Sequence, residues 1–191
     1  MNKWAKKRSV IRRYDLTAQM YNARYAEEQR AKYEAALENM GTTPSEVTLD
    51  AGCGTGLLLN YITHQAKMIV GLDISRKTLL VAKEHAKTLT NVHFVCADVD
   101  YMPFKEKLFN PVYAMTLIQN SPKPDVTLHE INRISVDNAV IVVTGLRKIF
   151  SKKSFEDLIR ASDLEIAMLR GDCNLKCYVA VCTKRHHSKP P

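Results

Sequence analysis

The sequence predicts a single α/β domain: a doubly wound, mostly parallel sheet of seven strands with an antiparallel C-terminal edge. Three observations carry that expectation. From residue 47 onward, β-branched runs alternate with apolar residues at helical spacing. The segment Asp50-Ala51-Gly52-Cys53-Gly54-Thr55-Gly56 closes the run Val47-Thr48-Leu49 and opens the apolar run Leu57-Leu58-Leu59. A strand, a tight glycine turn and a helix start thus meet at one point, where missing Cβ atoms permit a sharp turn and close approach of a ligand. Acids also stand at the ends of three successive strands, at Asp50, Asp73 and Asp98. In an open parallel sheet these ends line the ligand crevice.

The elements follow in order. Residues 9–39 read as helical, in two helices with a break near residues 21–24, and Gly41-Thr42-Thr43-Pro44 is a turn that ends them. Strand 47–50 leads through the glycine turn into helix 56–65. The start of that helix supplies free N–H groups and a positive dipole end, which suit a carboxylate or phosphate. Strand 68–73 ends on Asp73. Helix 75–88 takes Ser75 as its N-cap and buries Leu79, Leu80 and Ala82. Strand 92–97 leads to Asp98. Strand 112–117 precedes a helix near 124–134, with Val126, Leu128, Ile131 and Ile134 apolar. Residues 139–144 form a strand of the fully buried type. Ser151 caps a helix in which Phe155, Leu158 and Ile159 keep the period. Strands 164–169 and 176–183 close the domain through Arg170-Gly171-Asp172, and with no helix between them they are antiparallel. Taken singly, Asp73 and Asp98 also suit caps or turns. Beside the glycine loop, the crevice is the better reading.

At these residues the chain resembles the class I S-adenosylmethionine-dependent methyltransferases, among them the small type 11 kind. The family's first motif is an acid followed by three glycines at alternate positions, here Asp50, Gly52, Gly54 and Gly56. In the nicotinamide fingerprint the third glycine comes one residue later. Asp73, in Gly71-Leu72-Asp73-Ile74-Ser75, matches the acid that holds the ribose hydroxyls. Asp98, in Cys96-Ala97-Asp98-Val99-Asp100, matches the acid that contacts the adenine amino group. The fourth region, Phe109-Asn110-Pro111-Val112 through Gln119-Asn120, departs from the family at Asn110, which replaces an aspartate, and at Pro111. The resemblance covers about residues 10–183 and is strongest over 47–120. It implies a Rossmann-like fold and S-adenosyl-L-methionine as cofactor. The residues it assigns to the cofactor are Asp50, Gly52, Gly54, Gly56, Asp73, Ile74, Asp98, Val99, Thr116 and Tyr21. It also divides the chain into a helical cap with a basic extension (1–40), the methyltransferase domain (41–183) and a basic tail (184–191).

Composition agrees. The 191 residues are 46% hydrophobic and 25% charged, as in a soluble globular domain with a real core. No apolar run is long enough to cross a membrane, and the basic N-terminus lacks the apolar stretch of a secretory signal. Five cysteines, an odd number, argue against a disulfide framework and fit a reducing cytoplasm. Cys173, Cys177 and Cys182 lack the paired spacing of a zinc site, so no metal is expected. Cys177 and Cys182 read as buried thiols on opposite faces of the last strand. His186 and His187 belong to the tail rather than to a site.

A sulfonium methyl is already activated, so the protein's task is to hold acceptor, methyl carbon and sulfur in line. An acceptor that carries a proton also needs a polar group near the methyl. Gln119 and Asn120, after the fourth strand, are the catalytic candidates, and Asn120 equally suits a turn in Gln119-Asn120-Ser121-Pro122. The segment Tyr14 to Tyr21 resembles the family's cover over the cofactor. The net charge is +8, and Lys3, Lys6, Lys7, Arg8, Arg12 and Arg13 all precede the first acid, Asp15. Basic termini favour phosphate backbones, and Trp4 among lysines suits stacking on a base. They also serve solubility alone. The acceptor is therefore expected to be RNA, tRNA or rRNA, ahead of a small molecule such as a quinone or metabolite, and ahead of a cofactor-binding protein without turnover. Some small family members work through a small zinc-binding activator subunit, a partner this chain is also read as a candidate for.

Overall fold

Strands buried on both faces must be apolar along their length, and the runs around Leu49, Ile69, Val112 and Val142 meet that condition. The computed structural model describes residues 2–38, 45–172 and 174–185. Its strands are β1 (Ser45–Ala51), β2 (Ala66–Asp73), β3 (Val92–Cys96), β4 (Val112–Ala114), β5 (Ile141–Leu146), β6 (Leu164–Arg170) and β7 (Cys177–Lys184). Its helices are α1 (Lys3–Leu37), α2 (Leu59–Ile62), α3 (Arg76–His85), α4 (Pro124–Ile134) and α5 (Lys152–Arg160). The strands form one sheet of seven in the order β3-β2-β1-β4-β5-β7-β6. The first five are parallel, and β7 runs antiparallel between β5 and β6. This is the doubly wound sheet with an antiparallel edge that the sequence predicts. The strand order reverses between β1 and β4, which opens a crevice at their carboxyl ends.

Two apolar layers sandwich the sheet. One packs Leu128, Ile131, Phe155 and Ile159 of α4 and α5 against Leu49, Leu72, Val112 and Val143. The other packs Tyr33, Ala35 and Ala36 of α1, with Leu58, Leu59 and Ile62, against Ile69, Tyr113, Val142 and Val179. Cys182 belongs to the first layer and Cys177 to the second, so the two thiols do lie on opposite faces.

Several expectations need correction. The N-terminal region is one helix of 35 residues, about 52 Å long, with no break at 21–24. That stretch holds no Gly or Pro, and the Tyr21 and Tyr25 rings pack one turn apart with centroids 4.9 Å apart. The helix expected over 56–65 is a single α turn at Leu59–Ile62 and a 3-10 turn at Thr63–Gln65. The positive φ at Gly54 and Gly56 keeps the chain turning until Leu58, so the cradle is the loop itself rather than a helix dipole. Strand β4 stops at Ala114, because Thr116 sits at φ 57 and its N–H bonds Thr144 Oγ1 at 2.7 Å. In α3, Leu79 and Ala82 are buried as expected, but Leu80 is 58% exposed. The turn at 41–44, Cys173 and the tail histidines lie outside the described residues. No described helix is long and apolar enough to cross a membrane.

Candidate active site

The glycine loop leaves β1 at the crevice and folds back on β2. Gly52 and Cys53 N–H both bond Leu72 O, at 2.7 and 3.0 Å. Gly52 adopts φ 76, and a Cβ there would meet Leu117 Cδ1 at 2.9 Å. Gly54 adopts φ 54, and a Cβ there would meet nothing within 4 Å, so the loop leaves open space beside it. Gly54 N–H donates to Asp73 Oδ2 at 2.9 Å, and Ser75 N–H donates to Asp73 Oδ1 at 2.7 Å. These bonds hold the Asp73 carboxylate against the loop. Gly56 lies under the loop against Leu59 and Ala82, a packing role rather than a lining one.

Burial sets the electrostatics of this floor. Asp50 is buried, its Oδ2 has no hydrogen-bond partner, and burial with the nearby Asp73 raises its pKa to about 7. Burial also raises Asp73, against the opposing bonds from Ser75 and Gly54. A buried carboxyl oxygen with no donor is costly and suits a cationic ligand group.

Helix α1 roofs the crevice. Asp15 Oδ1 accepts from Ser75 Oγ at 2.6 Å, and Asn22 Oδ1 accepts from Thr55 Oγ1 at 2.6 Å. At one end Lys7 Nζ lies 2.5 Å from both Asp98 Oδ2 and Asp100 Oδ2. At the other end, beyond β4, Asn120 Nδ2 donates to Tyr14 Oη at 3.0 Å and to Thr116 O at 2.9 Å. Arg13 Nη2 donates to Asn120 Oδ1 at 2.7 Å. Gln29 joins the same corner: its Nε2 donates to Tyr21 Oη at 3.1 Å, and its Oε1 accepts from Thr116 Oγ1 at 3.2 Å. Burial raises the Tyr14 and Tyr21 hydroxyls.

The structure therefore brings Asp50, Gly52, Gly54, Asp73, Ile74, Asp98, Val99, Thr116, Tyr21 and Asn120 to one cleft. Gln119 does not line it, although its Oε1 is buried without a partner. Lys7, Gln29, Tyr33 and Asp100 also line the cleft and were not foreseen. Asp100 stands two residues after Asp98 and had a local signal. The other three sit on α1, and only its path across the sheet places them. Among the described residues, no group of three His, Cys, Asp or Glu is placed to hold a metal ion.

The residues fit S-adenosyl-L-methionine: an unpartnered buried acid at Asp50, an open backbone at Gly54, a strand-end acid at Asp73 and apolar Ile74 and Val99 beside it. Comparisons with known proteins agree. Residues 49–143 match the profile of the family described as "Methyltransferase domain". A malonyl-[acyl-carrier protein] O-methyltransferase of Marinomonas sp. (strain MWYL1) is 30% identical over 142 residues, 73% of this chain and 52% of that protein. A ubiquinone biosynthesis O-methyltransferase of Coxiella burnetii (strain Dugway 5J108-111) is 30% identical over 96 residues, 50% of this chain and 40% of that protein. The chain thus spans about half the length of these curated relatives. A chain from the Haloferax volcanii complex of the Trm112 methyltransferase activator with a methyltransferase has the same fold. It superposes with a TM-score of 0.75 at 17% identity, covering 91% of this chain and 98% of that one.

Proposed function

We propose that the chain is a class I S-adenosylmethionine-dependent methyltransferase, as its methyltransferase-domain match and sheet order support, and that it methylates a small-molecule acceptor bound under α1. One observation carries this reading. The crevice beyond β4 is roofed by Tyr14, Tyr21 and Gln29 and walled by Val10, Ile11 and Leu117, a covered and partly apolar chamber that suits a small molecule. The names of the Marinomonas and Coxiella relatives point the same way. RNA, the other acceptor the sequence suggests, draws its support from the basic termini, the basic cluster Arg147, Lys148, Lys152 and Lys153, and Trp4.

When bound, the cofactor supplies an electrophilic methyl on a sulfonium. The protein's part is to bind and position. Asp50 offers its unpartnered oxygen to a cationic group, and Asp73 offers its carboxylate to hydroxyls. Asn120, fixed by Tyr14 and Thr116 O, orients an acceptor at the end of β4. Helix α1, lying over that corner, shields it from water. Labelled methyl transfer into small-molecule, protein and RNA fractions tests the reading, with small-molecule label expected. Label confined to RNA defeats it.

A small activator subunit is a second proposal, supported by the likeness to the Haloferax chain. Coexpression with a Trm112-type subunit should raise yield and activity together. Unchanged yield and activity remove the partner.

A further inference from the structure

The substrate class can be taken further from two features of the corner beyond β4, granting the methyltransferase reading above. The first is the lack of a proton acceptor. The side chains that meet there include Tyr14, Tyr21, Gln29, Thr116 and Asn120, with Arg13 bonded to Asn120, and Lys32, itself paired with Glu28, bonded to Thr116 Oγ1. Besides these two cations the titratable groups are the two tyrosines, and burial raises both, so neither is ionised near neutral pH. The carboxylates of the cleft are committed elsewhere. Asp73 is tied to the glycine loop, and Asp98 and Asp100 are tied to Lys7. Asp50 stands on β1, in register with Tyr113 and not among the side chains bonded at this corner, and its unpartnered oxygen is the one the proposed function gives to a cationic group of the cofactor. A phenol, an alcohol or an ammonium must lose a proton to become a nucleophile, and no group at this corner takes one.

The second feature is a collar of positive charge at the mouth. Lys6 Nζ donates to Ser121 O at 3.1 Å, and Arg13 holds Asn120. Lys3 faces Lys123 closely enough that this neighbour is the main cause lowering the Lys3 pKa. Ser121, Pro122 and Asn120 line the cleft, so the four cations surround its entrance. None of the four forms an ion pair with an acid among the described residues, whereas Lys7, one turn along, binds two. Crowded cations without a counter-ion are electrostatically unfavourable and become favourable when an anion enters.

We infer that the acceptor is a carboxylic acid with an apolar body, whose carboxylate oxygen receives the methyl group. That oxygen forms the new bond to the methyl carbon with its own lone pair. The carbon–sulfur bond breaks, and its electron pair goes to sulfur. The negative charge of the carboxylate and the positive charge of the sulfonium cancel. No proton leaves, so no base is needed, and the product is a methyl ester. RNA phosphates are the other anions that suit such a collar. The apolar side chains of Val10, Ile11 and Leu117 in the cleft lining favour the small acid.

The test uses the full chain. Hexanoate, decanoate and 3-phenylpropionate, with their corresponding alcohols, are titrated while following Trp4, the single tryptophan of the sequence, on the first turn of α1. At least one acid should bind about tenfold or more tighter than its alcohol, and added salt should reduce that preference. The double variant Lys3→Gln/Lys123→Gln, two exposed positions, should weaken acid binding roughly fivefold and leave alcohol binding unchanged. Equal affinity for acids and alcohols overturns the inference. In turnover at saturating S-adenosylmethionine, where titration of Asp50 no longer limits cofactor binding, label should enter a base-labile ester at a rate level between about pH 6 and 9, since the acceptor carboxylate is ionised throughout. Label entering catechol or RNA but no acid also overturns it. Calorimetry with S-adenosylmethionine alone separates the two levels: no cofactor binding defeats the methyltransferase reading, whatever the acid titrations give.

Discussion

The Lys7 ammonium stands 2.5 Å from the Asp98 carboxylate, the acid that the family resemblance assigns to the adenine amino group. It also holds Asp100 and lies 5.7 Å from the centroids of the Trp4 and Tyr101 rings. The helix that roofs the cleft thus carries a cation to the Asp98 end of the floor.

Lys7→Gln tests this contact. Burial lowers the Lys7 pKa, but the hydrogen bonds it donates to Asp100 and Asp98 outweigh it, and the net shift is upward. For a raised lysine the stabilisation is complete below the ordinary value of 10.5 and is lost only as pH rises through the higher folded value. The variant should therefore be less stable by roughly 3 kcal/mol across neutral pH, because two carboxylates lose their partner. Its S-adenosylmethionine association, followed by Trp4 fluorescence, should be faster, since Asp98 is freed. Slower association in a folded variant would count against the lysine as a competitor.

Asp50 gives a pH prediction of opposite sign. Its pKa is about 7 in the fold against an ordinary 3.8. The folded state holds a proton that the unfolded state has lost, so stability falls as pH rises from about 4 to about 7 and then levels off. The full loss is on the order of 4 kcal/mol. Asp50→Asn should match wild type in melting temperature near pH 4 and exceed it at pH 8, while binding S-adenosylmethionine more weakly. A constant difference across that range would contradict the buried-acid assignment.

The two loop glycines should separate fold from binding. Gly54→Ala places its methyl in open space, at a left-handed φ that costs roughly 1–2 kcal/mol. It should fold and lose cofactor affinity. Gly52→Ala adds a clash with Leu117 to the same backbone strain and should lower the melting temperature further. Thermal melts with and without cofactor check both.

Asn120→Ala removes the link among Tyr14, Arg13 and Thr116 O. Turnover should fall on the order of tenfold or more, with cofactor affinity little changed. Gln119→Ala, outside the cleft lining, should leave turnover within about twofold of wild type. Steady-state kinetics on one acceptor distinguishes the pair.

The sheet and the floor of the cleft are legible in the sequence because their signals are local. Val47-Thr48-Leu49, the glycine turn and Asp73 act within a few residues of one another, and hydrophobic period separates strand from helix. Ser75 and Ser151 cap their helices as read, each side chain accepting from the N–H three residues on. The roof was less legible. Nothing near Tyr21 says whether a polar helix continues, and a 35-residue helix is decided by what it lies across. Lys7 meets Asp98, and Gln29 meets Thr116, at sequence separations of 91 and 87 residues, beyond any local pattern. The early end of β4 turns on Thr116 at φ 57, a conformation that a β-branched residue adopts only when its surroundings impose it.

The central claim is tested most directly by transfer of labelled methyl from S-adenosylmethionine into fractionated small molecules, protein and RNA, with Asp73→Ala as the control. Asp73 anchors the glycine loop through Gly54 and stands at the end of β2. Label should appear in the small-molecule fraction with wild type and be absent with the folded variant. Label that persists in Asp73→Ala, or that enters RNA alone, would contradict that claim.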